Sequence, residues 1–124
     1  MNRILALTED EKPFEALKQM VSGRIEIKTM SDPLMFLEVF LSLHCQVVVL
    51  DIDVLKEKTG SMINILHLMN KDIPLIVILS KEKMPVCLSV FSKGISTYLI
   101  KPVSPENLKA LIESTIKSTH KQIN

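Results

Sequence analysis

Val47-Val48-Val49-Leu50-Asp51 is the stretch that decides the fold. Three β-branched residues and a leucine follow one another with no polar residue between them. Such a run suits a central parallel strand covered on both faces, not a strand with one wet side. The aspartate comes straight after four apolar positions, where an acid placed for solubility alone would be badly sited.

The same arrangement repeats on either side of it. Apolar runs at 4–7, 24–28, 73–79 and 98–100 alternate with longer segments. The run at 24–28 alternates charged and apolar residues, with Ile25 and Ile27 on one face, and predicts a half-buried strand near an edge. Phe14, Leu17, Met20 and Val21 recur at helical spacing, with Gly23 as a C-cap candidate. Ser31 and Asp32 are N-cap candidates ahead of Pro33, and Leu34, Leu37, Val39, Phe40 and Leu41 predict a second helix. A third helix starts around Gly60 and carries Ile63, Leu66, Leu68 and Met69. A fourth carries Val86, Leu88, Val90 and Phe91 and closes at Gly94. Ser104-Pro105-Glu106 opens the last, with Ser104 as cap and Leu108, Leu111, Ile112 and Ile116 as its apolar stripe. Strict strand–helix alternation predicts an α/β fold with a doubly wound, five-stranded parallel sheet. Ligands of such sheets bind at the carboxyl ends of the strands.

Composition narrows the function classes. The 124 residues fit one domain spanning 1–124. Fifteen basic against 14 acidic residues, net +1, give no case for nucleic acid or an anionic membrane as direct partner. No apolar stretch is long enough for a signal peptide or a membrane span. Cys45 and Cys87 form neither metal spacing nor a disulfide framework and read as small buried hydrophobes, which points to a cytoplasmic setting. His44, His67 and His120 sit in separate segments and read as structural or solvated, and Met62 and Met69 as core fillers. With three glycines in all, and no Gly-rich loop after the first strand, a nucleotide- or flavin-binding enzyme of the same topology is disfavoured.

Polar groups stand where strands stop: Thr8-Glu9-Asp10, Asp51, Ser80 and Lys101. Carboxylates gathered there need a counter-charge. Hard oxygen ligands without His or Cys point to Mg²⁺. Asp51 is then a nucleophile toward a phosphoryl group, with the cation and Lys101 neutralising the transferring oxygens and Ser80 donating to one of them. The plainer alternatives are Asp51 or Ser80 as a helix cap, Glu9 as a solvated acid, Lys101 as a surface lysine and Tyr98 as ordinary packing.

Val47-Val48-Val49-Leu50-Asp51, Ile76-Val77-Ile78-Leu79-Ser80 and Tyr98-Leu99-Ile100-Lys101-Pro102 resemble the three signature strand ends of bacterial response-regulator receiver domains. The resemblance runs from Arg3 to about Ser118, and the Asp51–Ser80 and Ser80–Lys101 spacings of 29 and 21 residues suit it. It implies a flavodoxin-like (βα)5 fold of strand order 2-1-3-4-5. It makes Asp51 the phosphoacceptor, with Lys101 pairing the phosphoryl oxygen. Ser80 and Tyr98 become the switch pair. Glu9, Asp51 and the backbone carbonyl of Asp53 become Mg²⁺ ligands, with Asp10 as a further candidate. A cis Lys101–Pro102 bond is expected. The implied partners are a histidine kinase or phosphotransfer protein, and an output domain or partner protein at the face of the fourth helix, fifth strand and fifth helix. Surplus apolar residues on the fourth helix make a homodimer a candidate as well. The implied protein is a signalling receiver that catalyses only its own phosphorylation and dephosphorylation.

Two positions depart from the family. Thr8 stands where the first of two acids is usual, and the segment after Asp51 lacks the usual proline and runs one residue longer. They motivate a rival reading, a degenerate receiver acting as a phosphorylation-independent interaction module.

Overall fold

A computed structural model describes residues 2–21 and 23–123. The side chains of residues 119–123, including His120, lie outside the described residues. The elements run β1 (Asn2–Leu7), α1 (Lys12–Met20), β2 (Ile25–Met30), α2 (Pro33–Ser42), β3 (Val47–Asp51), α3 (Ile52–Leu55), α4 (Thr59–Met69), β4 (Leu75–Leu79), α5 (Met84–Val90), β5 (Thr97–Ile100) and α6 (Pro105–Ile123). All strand pairs are parallel, in the order β2-β1-β3-β4-β5. The expected α/β, flavodoxin-like topology is therefore present, with β2 at an edge.

Successive residues of β3 point to opposite faces of the sheet. Val48 and Leu50 join Phe36, Phe40, Ile63, Leu66 and Cys87 on one side. Val47 and Val49 join Phe14, Leu17, Leu108 and Ile112 on the other. Helices α2, α4 and α5 thus cover one face, and α1 and α6 the second. Every residue of β3 and β4 is buried, which is why their sequences are apolar without alternation.

Caps fix several boundaries. Asp32 accepts the Leu34 N–H at 3.1 Å, with Pro33 in the first turn. Ser104 Oγ accepts the Asn107 N–H at 3.2 Å, as expected for the last helix. Gly94 takes φ +106 after the one-turn 3₁₀ segment Phe91–Lys93 that follows α5. A Cβ there would meet His67 Cε1 at 2.7 Å. The buried Cys45, Cys87 and Met62 and the half-buried Met69 take the core roles read from sequence.

Other boundaries differ from expectation. β4 starts at Leu75, not Ile73, because Pro74 has no N–H for the ladder and contributes only its carbonyl, to Val48 N at 3.0 Å. β2 is shifted toward Met30. The segment after Asp51 is no loop. It forms α3 and a 3₁₀ turn, Lys56–Lys58, before α4 begins at Thr59. Burial of Ile52 and Leu55 holds that turn down, and Lys56, directly after it, takes φ +52. Met20 and Leu68, grouped from sequence with the apolar residues of their helices, are exposed, Leu68 at 86%.

Candidate functional site

The parallel register delivers the polar strand ends to one edge. Asp51 closes β3 at 1% exposure. Its Oδ1 accepts the Asp53 N–H at 2.9 Å, so it caps α3. That cap folds the first turn of α3 over the strand end and brings the Asp53 side chain above it. Buried Thr8, just beyond β1, donates through Oγ1 to Asp51 Oδ2 at 3.0 Å and accepts the Asp10 N–H at 3.1 Å.

Lys101, just past β5, points its Nζ between the two acids. It lies 2.8 Å from Asp51 Oδ2 and 2.8 Å from Asp53 Oδ2. Ser80 closes the ring from the end of β4. Its N–H donates to Asp53 Oδ2 at 3.1 Å, and its hydroxyl makes a short hydrogen bond to the same oxygen. That hydroxyl does not cap the turn that follows it, so the plain helix-cap reading of Ser80 does not hold.

Burial and charge pull against each other in this cluster. For Lys101, burial disfavours the ammonium, yet the bonds to Asp51 and Asp53 outweigh it and hold the pKa above the ordinary lysine value. For Asp53, burial favours the neutral acid, yet Lys101 and Ser80 outweigh it and hold the carboxyl below the ordinary range. Two carboxylates against one ammonium leave one formal negative charge. Asp53 Oδ1 is buried and has no hydrogen-bond partner among the described residues. Hard oxygens with residual negative charge are the donor chemistry that Mg²⁺ takes, so the residues present fit that ion.

Asp51, Ser80 and Lys101 are therefore together at the strand ends, and the Asp53 side chain joins them. Glu9 and Asp10 are not. Both are exposed, and Asp10 Oδ1 accepts the Lys12 N–H at 3.3 Å. Among the described residues no three His, Cys, Asp or Glu side chains gather to hold a metal. Tyr98 is 38% exposed and meets Phe91 edge-on, with centroids 6.3 Å apart. The Lys101–Pro102 peptide is cis, as expected. Sequence reasoning missed two partners: the Thr8 hydroxyl on Asp51, and the Asp53 side chain, considered only for its backbone carbonyl. The available signal was a second acid two residues after the first, the spacing at which an N-cap faces the N–H it accepts.

The chain matches the profile of the response regulator receiver domain over residues 4–113. Comparison with curated proteins finds no significant match. The fold is similar to a response regulator receiver domain protein from Clostridium thermocellum, with TM-score 0.85 and 17% identity over 98% of this chain and 99% of that one. It is also similar to a structure described as belonging to a family of streptococcal redox sensors evolved from two-component response regulators (TM-score 0.84, 17% identity, 97% of this chain and 53% of that one). The BeF3-activated DrrB receiver domain gives TM-score 0.78 and 20% identity, over 94% of this chain and 98% of that one. Identities this low speak for the fold alone. Receiver domains are signalling domains that interact with histidine kinases and output domains, and generally bind Mg²⁺ at an acidic pocket. A profile match across most of the chain, on the expected sheet, establishes that this chain belongs to the response regulator receiver family.

Proposed function

We propose that residues 1–124 form one receiver unit that takes a phosphoryl group onto Asp51 from a histidine kinase or phosphotransfer protein. The observation that carries this is the convergence on one buried carboxylate. Asp51 Oδ2 accepts from the Lys101 ammonium at 2.8 Å and from the Thr8 hydroxyl at 3.0 Å, with the Ser80 hydroxyl and N–H one carboxylate away on Asp53 Oδ2.

The chemistry follows from these groups. An Asp51 oxygen attacks phosphorus, an O–P bond forms, and the donor's P–N bond breaks. The imidazole leaves with the electron pair and is protonated. Lys101 neutralises a phosphoryl oxygen, and Ser80 donates to another. Glu9, Asp51 and the backbone carbonyl of Asp53, with Asp10 as a further candidate, would hold Mg²⁺, which supplies positive charge to the phosphoryl oxygens. Glu9 is exposed at the rim, so its side chain must turn inward to take part.

The output surface in this reading is the face of α5, β5 and α6, where Leu88, Phe91, Tyr98 and Ile100 are exposed. A partner protein, an output domain or a second copy would cover it when Ser80 and Tyr98 change state. A cytoplasmic setting accords with two unpaired, buried cysteines. Among the described residues no helix is long and apolar enough to cross a membrane.

The test is NMR of the labelled chain, titrated with Mg²⁺ and then with beryllofluoride. Shifts at Glu9, Asp51 and Asp53 with Mg²⁺ that spread to Ser80 and Tyr98 with the mimic are expected. No change at either step sinks the phosphoacceptor reading. The degenerate-receiver reading then takes over, favoured by Thr8, which brings no charge to the pocket, and by a Lys101 already shared between two carboxylates.

A further inference from the structure

Ser80 and Lys101 come from different strands, yet three of their donors meet on a single oxygen atom. The Ser80 N–H, the Ser80 hydroxyl and the Lys101 ammonium all point at Asp53 Oδ2. The acceptor is a side chain from the first turn of α3, put there because Asp51 Oδ1 caps that turn through the Asp53 N–H. A phosphoryl group on Asp51 would be anionic and would sit beside the same Lys101 Nζ, already 2.8 Å from Asp51 Oδ2. It would need these donors for its own oxygens. Two anions cannot share one set of three donors at hydrogen-bond distance without repelling each other.

We infer that the Asp53 carboxylate is an internal occupant of the phosphoryl cradle. It acts as a positioning residue that holds Ser80 drawn in, and it must swing out before Asp51 carries a phosphoryl group. The inference rests on the phosphoacceptor reading and sets its regulation. Unmodified, the chain keeps its switch hydroxyl in the contact that a phosphoryl oxygen would otherwise offer, so phosphorylation replaces one anion by another in place of filling an empty site. The Ser80 hydroxyl shows the cost locally, since it leaves the following Lys81–Lys83 turn without a side-chain cap. Asp53 Oδ1 makes the exchange feasible, because it has no hydrogen-bond partner among the described residues to hold the carboxylate in from the other side. Only Oδ2 must let go.

The experiment compares the full chain with its Asp53→Ala and Asp53→Asn variants in two arms. The first arm has no Mg²⁺ and no phosphoryl mimic. There the Ser80 amide resonance should shift upfield in Asp53→Ala, as its carboxylate acceptor is lost. An unmoved Ser80 amide overturns the inference, since the contact would not exist in solution. The second arm measures beryllofluoride affinity at fixed Mg²⁺ by fluorine NMR. Asp53→Ala should bind about tenfold more tightly than the wild type or better, the equivalent of one charge-assisted hydrogen bond no longer displaced. Asp53→Asn, which keeps the shape without the charge, should fall between. Equal binding by all three proteins overturns the internal occupant and leaves the phosphoacceptor reading standing. Binding by none of them overturns both.

Discussion

Lys101 carries the electrostatics of the site, and its replacement by alanine gives the most quantitative test of the geometry. The substitution removes an ammonium 2.8 Å from each of two carboxylates, one of them 1% exposed. Breaking a buried pair from one side costs about 3–5 kcal/mol. Lys101 and Asp53 are each about a quarter exposed, which lowers the figure. A ceiling follows from proton chemistry. The worst outcome for two facing carboxylates is that one takes a proton. For an acid with an unperturbed pKa of about 3.9, that costs roughly 4 kcal/mol near pH 7 and about 1.5 kcal/mol near pH 5. Lys101→Ala should therefore lose about 2–4 kcal/mol near pH 7, falling to about 1.5 kcal/mol or less near pH 5. Urea unfolding at the two pH values, in chelator to keep divalent ions out, reads this directly. A loss below about 0.5 kcal/mol, the level of an ordinary surface substitution, or one that does not change with pH, refutes the buried triad.

Other expectations concern separate parts of the chain. Asp53 has a lowered pKa, so its contribution to stability is present above the unfolded value of about 3.9 and is lost as pH falls through the folded one; Lys101 has a raised pKa, so its contribution is present below about 10.4 and is lost as pH rises through the folded value. Asp53→Asn should flatten the acid limb of a stability–pH curve, and an unchanged limb contradicts the assignment. Gly94→Ala combines φ +106 with a Cβ 2.7 Å from the His67 ring, whose Nε2 lies 3.3 Å from Ile73 O. It should cost about 2–4 kcal/mol in denaturant unfolding, from backbone strain and the lost ring contact together. Lys56→Gly relieves φ +52 and should raise stability by about 1 kcal/mol, with a lower midpoint counting against the strain.

The sheet was readable because β3 and β4 are buried on both faces, so residues 47–50 and Leu75–Leu79 run apolar without alternation. The final helix was readable because Ser104 and Pro105 mark its start chemically. α3 was not, since four residues carry no periodicity and its start depends on Asp51 acting as nucleophile candidate and cap at once. That double use also hid the Asp53 side chain, whose inward placement follows from the turn and not from its own neighbours in sequence. Asp51, Ser80 and Lys101 could be placed because each directly follows an apolar run, and a strand end fixes direction. Glu9 and Asp10 belong to the β1–α1 connection, where the Thr8 hydroxyl and the Lys12 N–H set the path of Asp10.

The central claim is that Asp51 accepts a phosphoryl group. The most direct measurement is mass spectrometry of the intact chain after incubation with a small acyl phosphate and Mg²⁺, followed by peptide mapping and an Asp51→Asn control. Gain of one hydroxylamine-labile phosphoryl group, mapped to Asp51 and absent from the control, is the expected result. An unmodified chain, or a phosphoryl group retained in Asp51→Asn, would contradict it.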